Sequence, residues 1–315
     1  MRQGQNPVKK INTVAKPQRI TVAILNYIPM LSGYYANLMQ VLQNCLGSVW
    51  TNTDLPYDLM VFDNGSCREA TDYLLKMQRE GKIQYLILSE KNLGKGGAWN
   101  LMLDGAPGEI IAYSDNDCYF YPGWLSNSLK VLETYPNVGM VTSRPVAQKE
   151  EFATKTIEWA QNNPEVNFER GRFLDWETFR SFTMSLGHDE NETRVLYEAH
   201  LDLRTTYRGV QAHIGAIHYQ FLAYKKVIKE FLPFDMDKAM GQVRQLDVRM
   251  NEAGYLRLMT ATPYMQNMSN DPSMDYKPTG KVTKGVSITR RIRDLKFIKW
   301  PLMRLYDWIF GLYYR

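Results

Sequence analysis

Residues 109–118, EIIAYSDNDC, constrain this chain more than any other stretch. Glu109 to Ser114 have the apolar, β-branched and aromatic content of a buried strand, and Asp115, Asn116 and Asp117 follow directly where it ends. Ligands of a parallel α/β sheet bind at the C-terminal edge of its strands, and an Asp-x-Asp pair there offers oxygen ligands to a hard divalent cation. A plain polar turn has the same composition, because Asp and Asn favour turns through local hydrogen bonds. The stretch takes its meaning from what precedes it.

Three earlier segments repeat the arrangement. Ile20 to Leu25 reads as a buried parallel strand ending at Asn26-Tyr27, and a helix is expected from Tyr34 to Leu46. Leu59 to Phe62 is a second strand, closed by Asp63-Asn64-Gly65-Ser66 and followed by a helix from about Glu69 to Arg79. Ile83 to Leu88 is a third, turning through Asn92-Leu93-Gly94-Lys95-Gly96-Gly97-Ala98-Trp99-Asn100 into another helix. Glycines allow a close backbone approach to a ligand, and a helix N-terminus attracts phosphate oxygens. The spacing here matches neither a P-loop nor a GxGxxG dinucleotide turn. After the DND strand, a helix from about Trp124 to Tyr135 leads into a fifth strand, Val138 to Thr142.

The second half is less regular. Residues 146–208 read as an inserted, mainly helical lobe, with helices at Glu150 to Gln161 and Trp176 to Leu186 interrupted by the polar run 188–192; it either binds an acceptor or caps the sheet. Gly209 to Tyr224 supplies one or two strands, in which His213 and His218 read as core residues. A helix from about Gly241 to Ala253 stops at Gly254, Leu256 to Thr260 is a short strand, and a polar loop containing Gln266, Asn267, Ser269 and Asn270 follows.

Charge separates the ends from the body. Of a net +5, residues 1–19 carry five Lys or Arg and no acid, and residues 281–315 carry nine against Asp294 and Asp307, so the body between them is acidic. That distribution argues against a nucleic-acid groove and points one or both ends at an anionic surface. In the tail, Ile288, Ile292, Leu295, Ile298, Leu302, Leu305, Ile309 and Leu312 form one apolar stripe interleaved with Arg and Lys. Trp300, Tyr306 and Trp308 are aromatics of the kind that settle at lipid headgroups, and Pro301 is expected to kink the helix. An anionic membrane surface over 288–315 is therefore expected; packing on the fold or on a second copy in a homodimer is the competing reading. Cys45, Cys67 and Cys118 have no metal-binding spacing and read as reduced thiols, and residues 1–10 lack the apolar segment of a signal peptide. No run approaches the ~20 apolar residues of a membrane span. The expected location is cytoplasmic, peripheral on the inner face of a membrane.

Strand ends carrying Asn26, Asp63, the 92–100 glycine turn and Asp115-Asn116-Asp117, in that order, resemble the family 2 glycosyltransferases of the GT-A fold. The resemblance covers residues 20 to about 145, with a looser match from 209 to 267. It implies a mostly parallel α/β sheet flanked by helices, with the inserted lobe and an amphipathic C-terminal tail. The divisions are 1–19, a basic arm; 20–145, the nucleotide-sugar half; 146–208, the insertion; 209–280, the acceptor half; and 281–315, the tail. It further implies that Asn26, Asp63, Asn92, Gly94, Lys95, Gly97, Asn100, Asp115 and Asn116 line the nucleotide-sugar site. Asp115 and Asp117 would hold Mn²⁺ or Mg²⁺, with Asn267 where the family often has a histidine ligand. Where the family commonly has Glu-Asp, this chain has Gln242-Val243. Asp247, one helical turn beyond Val243, is placed ahead of Asp237 as the general base, and Asp235 is also in reach.

The expected function is metal-dependent transfer of a sugar from a nucleotide-diphosphate donor, most commonly a UDP-sugar, to a hydroxyl of a glycan or lipid-linked acceptor, with inversion. Competing readings are a retaining transferase, a nucleotidyltransferase, and a non-catalytic nucleotide-sugar-binding protein.

Overall fold

The computed structural model describes residues 4–238, 240, 243–273, 304, 305 and 308. It divides into two units, Met1–Tyr276 and Lys277–Arg315. In the second, Arg304, Leu305 and Trp308 are helical and exposed; the rest of the stripe expected over 288–315 lies outside the described residues.

The first unit opens with an exposed arm, then alternates strand and helix: β1 (Ile20–Asn26), α1 (Leu38–Asn52), β2 (Asp58–Asn64), α2 (Arg68–Arg79), β3 (Tyr85–Ser89), α3 (Gly94–Gly105) and β4 (Ile110–Asp115). A short β5 (Cys118–Phe120), α4 (Trp124–Thr134) and β6 (Val138–Thr142) follow. The insertion holds α5 (Thr154–Asn162), β7 (Val166–Gly171), α6 (Trp176–Ser185) and α7 (Glu190–Ala199), and runs into β8 (Asp202–Tyr207). The chain returns through β9 (Val210–Ile214), β10 (Gln220–Tyr224), α8 (Lys225–Lys229), α9 (Arg244–Glu252), β11 (Leu256–Thr260) and β12 (Met265–Asn267).

Ten strands form one sheet in the order β3-β2-β1-β4-β10-β6-β11-β9-β8-β7. β1, β2, β3, β4, β6, β8 and β11 run one way and β7, β9 and β10 the other, so the sheet is mixed with one direction dominant. β1 is buried along its whole length, as expected of a parallel strand covered on both faces. Alternate residues divide between two apolar layers: Val22, Ile24, Val61 and Ala112 pack with α1, α2 and α4 on one face, while Ala23, Phe62, Ile111 and Tyr113 pack with α3 and α9 on the other.

The insertion differs from its sequence reading in two ways. It contributes β7 and β8 to the sheet as well as three helices, because β7 is an edge strand whose Asn167, Glu169 and Arg170 face partly into water and so lack a buried-strand signature. The polar run 188–192 begins a helix instead of breaking one. Asp189 accepts from the Glu192 backbone at 2.8 Å while the Glu192 side chain accepts from the Asp189 N–H, a capping box that starts α7.

Candidate functional site

Parallel register brings the strand ends together. It sets Asn26 opposite Asp63 and Leu25 opposite Asp115 at one edge of the sheet. Asn26 is fully buried and acts as a hub. Its amide donates to Asp63 Oδ1 at 2.7 Å and to Ser66 Oγ at 3.1 Å, and its Oδ1 accepts from the Asn116 amide at 2.6 Å. Asp63, also fully buried, accepts on its other oxygen from the Ser66 N–H at 3.1 Å. A buried carboxylate with both oxygens engaged ties β1 to the β2 turn, so this residue organises the wall of the site.

The glycine turn is organised in a comparable way. Asn64 receives the Leu93 N–H at 2.9 Å and donates to Asn92 Oδ1 at 3.0 Å, and Asn92 Oδ1 also takes the Gly94 N–H at 2.8 Å. The glycines here make room for the chain itself. A Cβ on Gly96 would lie 2.5 Å from the Asp235 carbonyl oxygen, and one on Gly97 would lie 2.6 Å from Met236 Cε. The Asn100 side chain donates to the Phe234 carbonyl at 2.9 Å and accepts the Phe234 N–H at 2.7 Å. Gly97 and Asn100, expected at the nucleotide sugar, thus hold segment 234–236 against α3. Gly94 has φ of +69°, a left-handed turn that delivers Lys95 into the site.

Lys95 meets the DND motif. Its Nζ lies 2.6 Å from Asp115 Oδ2, above the rings of Trp99 and Tyr113, and the Tyr113 hydroxyl donates to Asp115 Oδ1. The pairing of β12 with β5 sets Asn267 opposite Cys118, and the Met268 N–H donates to the Asp117 carbonyl at 2.7 Å. Asn267, which lies about 150 residues along the chain, is therefore beside Asp117. Burial first, and the charge of Asp115 second, push the Asp117 carboxyl up to about 7, with Lys95 and a hydrogen bond from Asn267 pulling against them. Crowded acid groups opposed by the Lys95 ammonium suit a divalent cation held by Asp115 and Asp117. Among the described residues no group of three or more His, Cys, Asp or Glu surrounds such a position, so remaining ligands would come from Asn267 or from a bound molecule.

The insertion reaches this edge through α6. Phe182 stacks on Tyr219 at 5.8 Å, and buried Arg144 donates to the Thr178 carbonyl and to Ser181 Oγ, both at 2.6 Å. Tyr219 in turn accepts the Asp115 N–H on its carbonyl at 2.9 Å.

The acids weighed as base lie in contrasting surroundings. Asp235 and Asp237 are exposed on the segment before α9, while Val243, in place of the family's Asp, is buried in the α3/α9 apolar layer. Asp247 is buried on α9 and bonded on both oxygens, to His218 Nδ1 at 2.6 Å and to the guanidinium of Arg257. His218 and Arg257 were not legible as its partners in the sequence. The only trace is a histidine just before a strand, a position that a core residue also fits. His213, by contrast, is buried as expected, and burial pushes its imidazole down to about 4.

Residues 35–191 match the profile of the family described as Glycosyl transferase family 2. Similar curated proteins include an uncharacterized glycosyltransferase of Nostoc sp., 27% identical over 123 residues, covering 39% of this chain and 35% of that one. The succinoglycan biosynthesis protein ExoW of Rhizobium meliloti is 27% identical over 104 residues, covering 32% and 33%. The matches span about a third of the length of these two relatives. Among solved structures, S. aureus TarS 1-349 in complex with UDP-GlcNAc has TM-score 0.44 at 13% identity, over 79% of this chain and 58% of that one. The mannosyltransferase PcManGT from Pyrobaculum calidifontis in complex with GDP-Man and Mn²⁺ has TM-score 0.45 at 16% identity, over 79% and 58%.

Proposed function

Because the chain belongs to glycosyl transferase family 2, we propose that it moves a sugar from a nucleotide-diphosphate donor to an acceptor hydroxyl at the edge where β1, β2 and β4 end. The observation that carries this reading is the convergence of Asn26, Asp63, Lys95, Asp115 and Asp117 from four separate strand and turn ends. Asp115 and Asp117 would hold Mn²⁺ or Mg²⁺, with Asn267 alongside. When bound, the cation neutralises charge that develops on the departing diphosphate.

The chain's own residues do the rest. Lys95, its side chain only 10% exposed, supplies a fixed positive charge next to Asp115, and such preorganised charge stabilises a leaving anion without rearrangement in the transition state. Asp63, Asn26 and Ser66 fix the wall that faces the nucleotide. α6, bound through Arg144 and Phe182, forms the side toward the acceptor. Inversion is the expected outcome, to be read from the anomer of the product. The tail over 288–315 would carry the site to a lipid-linked or glycan acceptor at an anionic membrane.

A thermal-shift screen of UDP- and GDP-sugars with and without Mn²⁺ tests the donor half, since a ligand that binds only the native state raises its melting temperature. Stabilisation by a nucleotide sugar that depends on Mn²⁺ is expected. No shift with any of them would refute the reading.

A further inference from the structure

The loop joining β9 to β10, residues 215–219, is held in place from four directions. The Gly215 N–H donates to the Arg257 carbonyl at 2.8 Å, and Gln148 grips both backbone groups of Ala216 at 2.7 Å. The Ile217 N–H donates to Thr142 Oγ1 at 2.9 Å, and Tyr219 takes the Asp115 N–H. His218 sits within this clamp, one residue from the group that fixes the backbone of the DND motif.

The imidazole is oriented from behind. His218 Nδ1 lies 2.6 Å from Asp247 Oδ2, and the Asp247 side chain is 4% exposed against 24% for His218. On the far side of Asp247, the Arg257 guanidinium is fully buried, and it also donates to the carbonyl oxygens of Ala216 and Phe152. A carboxylate paired with a guanidinium accepts hydrogen bonds and does not donate them. The Nδ1 atom therefore carries a proton, and in the neutral imidazole that tautomer places the lone pair on Nε2. Among the described residues Nε2 has no hydrogen-bond partner. α9, which carries Asp247, packs through Leu246 and Met250 into the same apolar layer as Trp99 and Tyr113, the layer below Lys95 and Asp115. The oriented imidazole and the Asp115 carboxylate thus share one side of the sheet at one edge.

We propose that His218 Nε2 takes the proton from the acceptor hydroxyl and that Asp247 is its positioning residue, an assignment that rests on the transferase reading above. The acceptor oxygen forms its bond to the anomeric carbon as the bond from that carbon to the diphosphate oxygen breaks. The electron pair of the broken bond leaves with the diphosphate, and the hydroxyl proton passes to Nε2 and then to solvent. Asp247 stays ionised throughout, holding the tautomer and stabilising the imidazolium, and Arg257 keeps Asp247 in place. A buried, doubly bonded carboxylate is a poor direct base, whereas the partly exposed ring in front of it is an accessible one. This explains how the chain can lack the family's Glu-Asp and still deprotonate an acceptor.

The test uses the full chain with Mn²⁺ and UDP-GlcNAc, UDP-glucose or GDP-mannose as donors, water and alkyl glycosides as acceptors, and nucleoside diphosphate release as readout. His218→Gln should lower kcat by ~10² or more, the range of general-base contributions, with the donor Kd and Tm of the wild type. Added imidazole should restore part of the rate to His218→Gly. Asp247→Asn should lower kcat without raising KM, and ¹⁵N spectra should show His218 moving from the Nδ1–H tautomer to a mixture. Wild-type turnover by His218→Gln would overturn the proposal, as would a rate lost in Asp237→Asn but kept in His218→Gln. A wild-type chain that neither binds nor turns over these donors would refute the transferase reading itself, and the assignment would fall with it.

Discussion

Asn116, the middle residue of the DND motif, donates its side-chain amide to Oδ1 of Asn26 at 2.6 Å. The bond links the end of β4 to the end of β1, and through the Asn26 amide it continues to Asp63 on β2. Three strand ends are thereby held as one polar network with few degrees of freedom. Such a network is stable only when all its members are satisfied, because a buried polar group left without a partner costs about 1–3 kcal/mol.

Asp63→Ala removes the acceptor of the Ser66 N–H and of one Asn26 amide hydrogen, leaving the Asn26 amide only its bond to Ser66 Oγ. Urea denaturation should show a loss of about 1–3 kcal/mol, and calorimetry should show weaker donor binding together with it. Unchanged donor affinity alongside the lost stability would mark Asp63 as a structural residue only.

Asp117 should behave in the opposite sense. Its carboxyl is raised to about 7 by burial and by the charge of Asp115, so at pH 8 the metal-free protein holds Asp117 ionised against desolvation and that repulsion. Asp117→Asn removes that repulsion. The variant should melt at a higher temperature than wild type without metal and should lose the further rise that Mn²⁺ gives to wild type. Equal Mn²⁺ responses in the two proteins would exclude Asp117 from the cation site.

Much of this was legible in the sequence, for identifiable reasons. β6 and β11 occupy the residues their patterns predicted, Val138–Thr142 and Leu256–Thr260, because both are buried along their whole length and bounded by turn residues. The four strand ends of the site were legible because polar residues directly follow apolar runs. The proximity of Asn267 to Asp117 came only from the resemblance, since β5 and β12 are three-residue strands with no pattern of their own. Partners of Asp247 were not legible at all: His218 and Arg257 are brought to α9 by long-range packing, and Arg257 sits inside a strand where a charge has no local explanation. The contacts of Gly96 and Gly97 with segment 234–236 were not legible for a related reason. A glycine's sequence context records that something comes close, but not that Asp235 and Met236 are among what does.

His213 predicts an acid sensitivity. Its folded-state value is lowered from 6.5 to about 4, chiefly by burial, with Asp202 opposing that shift and Arg204 and His200 adding to it. Lowering the pH from 6.5 toward 4 therefore protonates the unfolded chain before the folded one, so stability is lost across that window and retained above it. His213→Gln should lose less stability than wild type over the same window in Tm measured against pH. Parallel curves would show that His213 does not drive the acid loss.

The tail prediction comes from sequence alone. Residues 288–315 should bind anionic liposomes, with each buried Leu, Ile or Trp contributing ~1.5–3 kcal/mol before ordering costs and each cation near the surface ~1 kcal/mol. A chain ending at Gly285 should no longer float with the vesicles. High salt should release the full chain in part, because it screens only the charge contribution. Equal flotation of the two proteins, or truncation that merely splits a dimer, would contradict the membrane role.

We propose the strand-edge site carrying Asp63, Lys95, Asp115 and Asp117 as the place where a nucleotide sugar is cleaved and its sugar passed on. The most direct measurement is nucleoside diphosphate release from a panel of UDP- and GDP-sugars by wild type and by Asp117→Ala, each confirmed folded by its melting curve. Mn²⁺- or Mg²⁺-dependent release by wild type from at least one donor is expected, and none above background from Asp117→Ala, which should stay folded because a residue at the sheet edge contributes little to core packing. Equal release by the two folded proteins would contradict this assignment of the site.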